Sequence, residues 1–523
     1  MNNRPLKTAL FALAIGSTMA FLSCKSASKA TEGNNKSIVI LYENDVHCSI
    51  DGYAKIAGLR NAVADTAYVA VVSCGDFLQG GTAGAVSKGQ YVVDIMRSVG
   101  YDAITLGNHE FDYKTPQMFD LLSYIKAPIT CVNLRSMSNG EFPFAPYVIK
   151  TMGNRKVAFI GITTPTSIAT EEYAFFDEAG NQLFELCSKT VYQLVQNAVD
   201  EARKKGATYV VALSHLGEDK TDVDVDSHGL IRNTTGIDVV LDAHTHSVIP
   251  SDTVHNRVGQ PVVITETGTK FANIGKLLIT ADGHATTQLI PTSDVTSVDP
   301  AVVHITDSIK SLVKNETSAK VCDSEVKLTI LDKNGKQEVR MAETNVGDLV
   351  ADSYLALTDA DFAMTNGGGI RSDLPAGTLC YGDIISLLPY NNYICTVEIT
   401  GVQLKKLLDA CTQSVPHENG DFPQVSGLKF TVNPGGKGVT DVMVRNKQNG
   451  EYEPLNPDHT YQLATIDYCV IGGGFYGMLK QNKVLQQTGI NYSDCLIQYL
   501  KNNLSGKVGK EYAAPQGRIT IKQ

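Results

Sequence analysis

Side chains that can bind metals follow several short apolar segments of the sequence, at the point where each segment ends. The segments are rich in valine and isoleucine without polar alternation, which is typical of strands buried on both faces of a sheet. Because the carboxyl ends of parallel strands meet at one edge, these side chains should lie close together there. They are Asp45, His47, Asp76, Asn108, His109, Asp112, His215, His244 and His246.

This set of residue types suits hydrolysis assisted by divalent metal ions. Five of the eleven histidines belong to it, beside carboxylate and amide oxygens. Such mixed ligands fit borderline ions such as Zn²⁺ or Mn²⁺, and a carboxylate shared by two ions is a requirement of a two-metal hydrolytic centre. An isolated Asp-x-His is more often a turn beside a surface histidine, but an ordered series at successive strand ends is a specific signal.

A second group of residues, in the C-terminal half, suits the binding of a phosphate. The run from Asn366 to Arg371 contains three consecutive glycines, which allow the backbone to approach a ligand closely. Arg371 offers a planar fork for phosphate. Arg340 lies upstream of this run, and Tyr390 and Phe475 lie downstream. Taken singly each feature is modest, because a glycine run is often only a tight turn.

The elements that must position the first group are strands alternating with helices between Ser37 and about Ile290. This alternation predicts an α/β layered domain. Thr115 followed by Pro116 is typical of a capped helix start, and so is Asp299 followed by Pro300. The helix that begins at Pro300 is expected to connect this domain to a second one.

The rest of the chain mixes strands with helices, which predicts a second α/β domain. Residues 326–331 read as a strand that turns at Asn334 and Gly335, and residues 402–410 read as a helix. A chain of 523 residues is too long for one hydrophobic core. The predicted organisation is therefore a first domain at residues 37–295, a connecting helix at 296–320 and a second domain at 321–523.

The beginning of the chain is predicted to be a targeting segment. Arg4 and Lys7 precede an apolar stretch that ends at Cys24 and resembles a bacterial lipoprotein cleavage box. Residues 1–24 are therefore expected to be a signal peptide, Cys24 a lipid attachment point that anchors the protein in the bacterial cell envelope, and residues 25–36 a tether. The alternative is an ordinary signal peptide with a chance cysteine. Either form places the protein outside the cytoplasm.

Charge and cysteine content exclude some classes of partner. A formal net charge of −10 argues against a protein that binds nucleic-acid polymers. The ten cysteines besides Cys24 are scattered without metal-ligand spacing, so buried free thiols are expected, and a disulfide is left open. No obligate protein partner is predicted.

The order of the first group, with Asp-x-His, Gly-Asp, Gly-Asn-His-Glu, a single His and His-x-His, resembles that of the calcineurin-like metallophosphoesterases. The resemblance implies two divalent ions (Zn²⁺, Mn²⁺, Co²⁺ or Mg²⁺). Asp45, His47 and His246 would hold one ion, Asn108, His215 and His244 the other, and Asp76 would bridge them. His109 would reach the phosphoryl group or the leaving oxygen, and Asp112 would orient it. Many 5′-nucleotidases have Gln or Asn where His246 stands, which leaves the metal preference open.

The second group resembles the C-terminal domain of the 5′-nucleotidase and UDP-sugar hydrolase family. The resemblance implies that Tyr390 and Phe475 stack on the base, that Arg340 and Arg371 grip the phosphate, and that Asn366 and Gly368 contact the ligand. The expected fold is a metallophosphoesterase β-sandwich flanked by helices in four layers, a connecting helix and a second α/β domain. The stretch after Phe475 lacks the acidic residue that in relatives often binds the ribose hydroxyls, so ribose recognition is less well supported.

These resemblances favour an enzyme that hydrolyses nucleoside 5′-monophosphates for nucleotide salvage, with UDP-sugars and other nucleotide pyrophosphates as further substrates. The alternative enzyme is a 2′,3′-cyclic-nucleotide phosphodiesterase with 3′-nucleotidase activity. A nucleotide-binding lipoprotein without catalysis is the alternative from another class. A thiosulfate-ester hydrolase is disfavoured by the two aromatic residues, Tyr390 and Phe475. Hinge closure is expected near residues 300–320.

Overall fold

A computed structural model of the chain describes residues 36–177, 181–218, 225–390 and 392–522. The predicted signal peptide, Cys24 and most of the predicted tether lie outside these residues. None of the helices in the described ranges is long and apolar enough to cross a membrane.

Two mixed sheets form the centre of the first half. The first has the strand order Ala285–Pro291, Asn273–Ile279, Ser37–Glu43, Ala67–Ser73 and Ala103–Ile104. The second has the order Val248–His255, Pro261–Thr267, Val239–Leu241, Tyr209–His215, Arg155–Thr163 and Tyr147–Met152. In the first sheet, three strands run parallel to one another: Ser37–Glu43, Ala67–Ser73 and Ala103–Ile104. In the second sheet, four strands do so: Arg155–Thr163, Tyr209–His215, Val239–Leu241 and Pro261–Thr267. Their carboxyl ends therefore open on a common edge.

The two sheets pack face to face, and helices cover both outer faces. Ile40 and Val72 of the first sheet share one apolar cluster with Phe159 and Leu213 of the second. The next residue along the first strand, Leu41, points the other way, toward the helices. Burial on both faces explains the unbroken apolar segments. The predicted four-layer sandwich of helix, sheet, sheet and helix is confirmed.

The helices of the first half lie between its strands along the chain. Their bounds are Tyr53–Val63, Gly81–Ser87, Gln90–Val99, Thr115–Ile125, Ser167–Thr170, Glu172–Phe175, Val191–Lys204 and Ser227–Asn233. The long helix Pro300–Thr317 follows, and its first turn is capped by Asp299, which accepts from the N–H groups of Ala301 and Val302. This helix packs on the helices Tyr53–Val63 and Gly81–Ser87 and also touches Tyr381–Leu387 of the second half.

The second half contains three sheets around one apolar core. The five-stranded sheet has the order Pro423–Ser426, Phe362–Asn366, Thr460–Ile466, Tyr393–Thr400 and Val484–Asn491. The four-stranded sheet has the order Tyr452–Pro454, Val439–Arg445, Leu428–Val432 and Ile519–Ile521, and the three-stranded sheet has the order Gly377–Cys380, Lys320–Ser324 and Lys507–Val508. The α-helices are Asn345–Leu357, Tyr381–Leu387, Gly401–Thr412, Asp467–Val470 and Tyr492–Gln498.

The predicted strand at residues 326–331 is wrong. Only Leu328 forms a bridge there, with Leu374, and the regular strand is Lys320–Ser324. The backbone N–H groups of Thr329 and Ile330 donate instead to side chains, those of Asn345 and Asp373. Side-chain acceptors therefore replace the ladder of a sheet, and the apolar residues of this segment fill the core without strand pairing.

Two smaller predictions also need correction, and one is confirmed. The helix near Thr115 is capped at Lys114, so that Thr115 is its first residue. The apolar spacing of Val302, Ile309 and Leu312 predicts that they share one face of the helix Pro300–Thr317, but Leu312 is 47% exposed, whereas Val302 and Ile309 are buried. All ten described cysteines are free thiols, and eight of them are buried, as predicted.

Candidate active site

The predicted metal ligands lie just past the ends of the parallel strands, on a strained backbone. Asp45, His47, Asp76, His244 and His246 all have positive φ, between 44° and 82°. Residues with a Cβ rarely adopt this conformation, which costs about 1–3 kcal/mol for each residue. The strain is concentrated where the side chains converge, which is typical of a functional site.

Four of these side chains surround a space that fits a cation. Asp45, His47, Asp76 and His246 each offer one ligand atom, and these atoms lie within 4.8 Å of one another. The Nε2 atoms of His47 and His246 are 3.1 Å apart, and Nε2 of His246 is 3.4 Å from Oδ1 of Asp45. This Oδ1 atom is buried and has no hydrogen-bond partner among the described residues. A buried carboxylate oxygen without a donor is well matched by a bound divalent ion.

Asp76 also reaches a second group of ligand atoms, around Asn108. Oδ1 of Asn108 lies 3.0 Å from Nδ1 of His244 and 3.3 Å from Nε2 of His215. Nε2 of His215 is 3.3 Å from Oδ2 of Asp76, which in turn is 3.8 Å from Nε2 of His47. The structure thus brings all seven predicted ligands together, with the Asp76 carboxylate between the two groups.

Hydrogen bonds and charges prepare the imidazoles for metal binding. Nδ1 of His215 donates to the Cys74 carbonyl at 2.7 Å, which turns Nε2 toward Asp76 and Asn108. Burial and the nearby His215 lower the pKa of His244 to about 4, so His244 is neutral at pH 7. Burial alone would lower the pKa of His215, but the Asp76 and Asp45 carboxylates raise it to about 10. A positive charge is therefore favoured at this point, and a divalent ion would supply it.

Glu110 holds the loops that carry these ligands, a role that the sequence did not reveal. Its buried carboxylate accepts from four backbone N–H groups, those of Asp76, Phe77, Leu78 and Gly107, at 2.5 to 3.1 Å. A Cβ on Gly107 would lie 2.1 Å from Oδ1 of Asp76, so only glycine fits there. Glu110 belongs to the Gly-Asn-His-Glu motif, which was the available signal.

The variant Glu110→Ala is expected to lose about 3–5 kcal/mol of unfolding free energy, because four buried N–H groups would lose their acceptor. Urea unfolding measures this change. The control is Glu451→Ala, which removes an exposed carboxylate from the second half and should change stability by less than about 0.5 kcal/mol. A Glu110→Ala protein as stable as the control would contradict the assigned role.

His109 and Asp112 form a pair beside the predicted metal ligands. Nδ1 of His109 donates to Oδ2 of Asp112 at 3.0 Å, and the backbone N–H of His109 donates to Oδ1 of Asp76 at 2.9 Å. Although burial opposes it, the charges of Asp112 and Asp76 hold the pKa of His109 well above its ordinary value. The protonated form of His109 is therefore favoured, which suits donation of a proton or hydrogen bond to a phosphoryl or leaving oxygen.

Glu171 is a further residue that the sequence did not single out. It is 5% exposed, and its Oε1 accepts from Nδ2 of Asn108 at 3.3 Å. This bond orients the amide of Asn108 so that its oxygen faces His215 and His244. Glu171 stands in an irregular segment with no motif around it, so no sequence signal was available.

A cavity of about 470 Å³ joins the first group to the second. The first half contributes Gln79, Asn108, His109, Asp112 and Glu171, and the second half contributes Arg340, Asn366, Gly368, Gly369, Arg371, Tyr390, Asn392, Gly420, Asp421, Asp467, Tyr468 and Ile471. Five of the six predicted substrate-binding residues therefore line a single space with His109 and Asp112. Within the described residues, Oδ1 of Asn366 and Nε of Arg340 are buried without a hydrogen-bond partner.

Phe475, the sixth predicted substrate-binding residue, lies beside this space. Its ring is 37% exposed, and its backbone N–H donates to Oδ2 of Asp421 at 3.0 Å. The aromatic side chains that line the cavity are those of Tyr390 and Tyr468, which are 42% and 38% exposed. Tyr468 was not predicted from the sequence, because no glycine stands next to it, but its ring packs on Gly473 of the nearby glycine run.

Asp467 gives the cavity wall a group that titrates near neutrality. Burial and the charge of Asp112 raise its pKa from 3.8 to about 7, despite backbone N–H donors from Tyr393 and Tyr468. The folded protein therefore holds a proton that the unfolded chain releases, and this residue's contribution to stability falls as the pH rises from about 4 to 7.

The variant Asp467→Asn is expected to match the wild type in stability near pH 4 and to exceed it by up to about 4 kcal/mol above pH 7. Urea unfolding at a series of pH values measures the difference. A constant difference across this range would show that the effect of the substitution does not come from titration of Asp467.

Comparison with known proteins agrees with this geometry. Residues 38–248 match the family of calcineurin-like phosphoesterases, and residues 321–481 match the 5′-nucleotidase C-terminal domain. Fold and site together define a hydrolase that acts on phosphoric esters, of a class that uses divalent metals. The chain thus carries a calcineurin-like phosphoesterase domain followed by a 5′-nucleotidase C-terminal domain.

Individual relatives share about a quarter of the sequence. The chain is 26% identical to the trifunctional nucleotide phosphoesterase protein YfkN of Bacillus subtilis over 90% of its own length, but spans 34% of that protein. It is 26% identical to a snake venom 5′-nucleotidase of Gloydius brevicauda, over 92% of this chain and 88% of the other. A 5′-nucleotidase precursor from Thermus thermophilus has the same fold, with a TM-score of 0.64, 23% identity, and coverage of 93% and 99%.

Proposed function

We propose that the protein hydrolyses nucleoside 5′-monophosphates to nucleoside and phosphate with the help of two divalent ions. The observation that carries this proposal is the shared cavity, in which His109 and Asn108 face the arginines and tyrosines of the second half. A metal-dependent phosphatase without nucleotide specificity would not need the arginines and tyrosines of the second half. The names of the relatives, a snake venom 5′-nucleotidase and a nucleotide phosphoesterase, support the same substrate class.

Each residue has a role in this proposal. Asp45, His47 and His246 would hold one ion and Asn108, His215 and His244 the other, with Asp76 available to both. When bound, the ions polarise the phosphoryl oxygens and lower the pKa of the attacking water. His109, oriented by Asp112, donates to the leaving oxygen. Arg340 and Arg371 hold the phosphate, and Asn366 and Gly368 contact the sugar or base.

Stacking on aromatic rings holds the base in this proposal. Tyr390 is one stacking partner, and Tyr468 or Phe475 is the other. Stacking contributes about 1–3 kcal/mol per base and tolerates different bases, so several nucleoside monophosphates should be substrates. UDP-sugars and other nucleotide pyrophosphates belong in the same substrate panel.

The test is phosphate release from 5′-AMP by the purified full-length protein, after chelation and again after reloading with Mn²⁺ or Zn²⁺. Turnover that is lost and then restored by metal supports the proposal. Hydrolysis of 2′,3′-cyclic AMP without hydrolysis of 5′-AMP would favour the cyclic phosphodiesterase instead. Binding of 5′-AMP without release of phosphate, with the metal content confirmed, would identify a nucleotide-binding protein without catalysis and overturn the proposal.

The location and domain boundaries are part of the proposal too. A lipid on Cys24 would hold the enzyme outside the cytoplasm, where nucleotide salvage needs it, and a relative found in venom also acts outside the cell. Labelling with a radioactive fatty acid should mark the wild type and not the Cys24→Ser variant. The proposed domains are residues 37–295 and 321–523, joined by the helix Pro300–Thr317.

A further inference from the structure

Asp421 is one of four acidic residues that line the cavity, together with Asp112, Glu171 and Asp467. Its carboxylate lines the same space as Arg340, Arg371 and Tyr390. Arginines attract the phosphate of a nucleotide, whereas a carboxylate in the same cavity repels it. Asp421 must therefore face another part of the ligand, one that offers hydrogen-bond donors.

The backbone on both sides of Asp421 is tied to the glycine run. The N–H of Gly368 donates to the carbonyl of Gly420 at 2.7 Å, and the N–H of Gly367 donates to the carbonyl of Phe422 at 2.8 Å. Close packing reinforces these bonds, since a Cβ on Gly368 would lie 3.0 Å from Cα of Gly420. Asp421 is thus attached to the glycine run that follows Asn366 and cannot move independently of it.

The side chain of Asp421 is fixed as well. Its Oδ2 accepts from the N–H of Phe475 at 3.0 Å. Gly474, with φ of 56°, presses on the carboxylate so closely that a Cβ there would lie 2.1 and 2.3 Å from its two oxygens. Burial and the charge of Asp421 raise the pKa of Tyr468, so the carboxylate also lies near this ring. The carboxylate therefore lies near two aromatic residues, Phe475 and Tyr468. Its contacts with Phe475 and Gly474 are both made within the second half.

We propose that Asp421 is a specificity-determining residue that accepts hydrogen bonds from the free sugar hydroxyls of the substrate. The proposal rests on the proposed nucleotidase function. A carboxylate is an acceptor only, and one bond from Phe475 leaves it lone pairs for hydroxyl donors. In a nucleotide the sugar lies between the phosphate and the base, and Asp421 lines the cavity that holds both arginines while its carboxylate contacts the backbone of Phe475. The same charge repels a phosphate carried on the 2′ or 3′ oxygen, so the enzyme selects 5′-nucleotides whose other hydroxyls are free.

The test compares kcat/KM for three compounds with the same scissile 5′-phosphate. They are 5′-AMP, 2′,3′-dideoxy-5′-AMP and adenosine 3′,5′-bisphosphate. The wild type is expected to prefer 5′-AMP over each of the other two by about 10–100-fold, since charged hydrogen bonds and like-charge contacts have effects of this size. In Asp421→Asn, which keeps an acceptor for the N–H of Phe475, both preferences should shrink to a few-fold. The exposed Asp441→Asn is the matched control and should retain the preferences of the wild type.

The outcomes separate this inference from the function on which it rests. If the wild type releases no phosphate from 5′-AMP, the proposed function fails and the inference fails with it. If the wild type is active but Asp421→Asn lowers kcat/KM equally for all three compounds, the nucleotidase stands and the role of Asp421 is wrong. Thermal unfolding checks that the variant folds. If Asp421→Asn does not fold, the Asp421→Ser variant replaces it, because the serine hydroxyl can still accept from the N–H of Phe475. This variant should show the same loss of selectivity.

Discussion

The Asp76→Asn variant is expected to release phosphate about 10³–10⁵-fold more slowly than the wild type, a loss of the size found for groups that stabilise transition-state charge. The Asp76 carboxylate approaches both groups of ligand atoms, since its Oδ2 lies 3.3 Å from Nε2 of His215 and 3.8 Å from Nε2 of His47. An amide at this position has no negative charge and one acceptor oxygen fewer. The measurements are kcat/KM for 5′-AMP and the metal content of the purified protein.

The substitution is chosen so that the fold should survive it. In the wild type, Oδ1 of Asp76 accepts the N–H of His109, and the oxygen of an asparagine can do the same. The matched control is Asp120→Asn, an exposed carboxylate on the helix Thr115–Ile125, which should keep full activity. Asp76→Asn protein that retained both its metal and more than a tenth of the wild-type activity would rule out a shared carboxylate as the centre of the site.

Most of the metal site could be predicted because strand ends are easy to recognise in this sequence. The apolar strands are buried on both faces, so their sequences are unbroken, and each stops where a polar ligand begins. Asp45 and His47 follow the strand Ser37–Glu43, and His215 is the last residue of Tyr209–His215. Parallel pairing then brings these ends to one edge without further information. The geometry of the sheet therefore converts an order in the sequence into a cluster in space.

The residues that the sequence missed act through backbone contacts or orientation. Glu110 binds four N–H groups of two loops, and Glu171 fixes the amide of Asn108. Neither contact follows from residue spacing, because each depends on how loops from different strands approach each other. Tyr468 was missed for a related reason, since its place on the cavity wall depends on the helix Asp467–Val470 that carries it.

The wrong strand at residues 326–331 has the same origin. Alternating apolar residues satisfy the pattern of a strand, but a strand also needs a neighbour with free N–H and carbonyl groups. Here Asn345 and Asp373 supply the acceptors instead. Side-chain acceptors that come from distant parts of the chain leave no local trace, so this segment could not be distinguished from a strand by its own sequence.

The His109→Gln variant is expected to lower kcat about 10²–10⁴-fold while its metal content stays that of the wild type. The imidazole is not among the seven ligands, and it lines the cavity with Asp112, where a leaving oxygen would lie. Glutamine can still donate a hydrogen bond but cannot give up a proton to the leaving group. The measurement is kcat for 5′-AMP and for p-nitrophenyl phosphate, whose leaving group needs no proton at neutral pH, so the loss should be clearly smaller for the second compound.

The Asp112→Asn variant separates the charge of this pair from its position. In the wild type, Asp112 is the largest of the influences that raise the pKa of His109 above its ordinary value. Removing the carboxylate lowers that pKa, so His109 loses its proton at a lower pH and the alkaline limb of the kcat profile should move to lower pH. An asparagine that only disturbed the fold would reduce kcat at every pH without moving the limb. An unshifted limb in an otherwise stable Asp112→Asn protein, or an equal loss for both compounds in His109→Gln, would mean that His109 does not act as the proton donor.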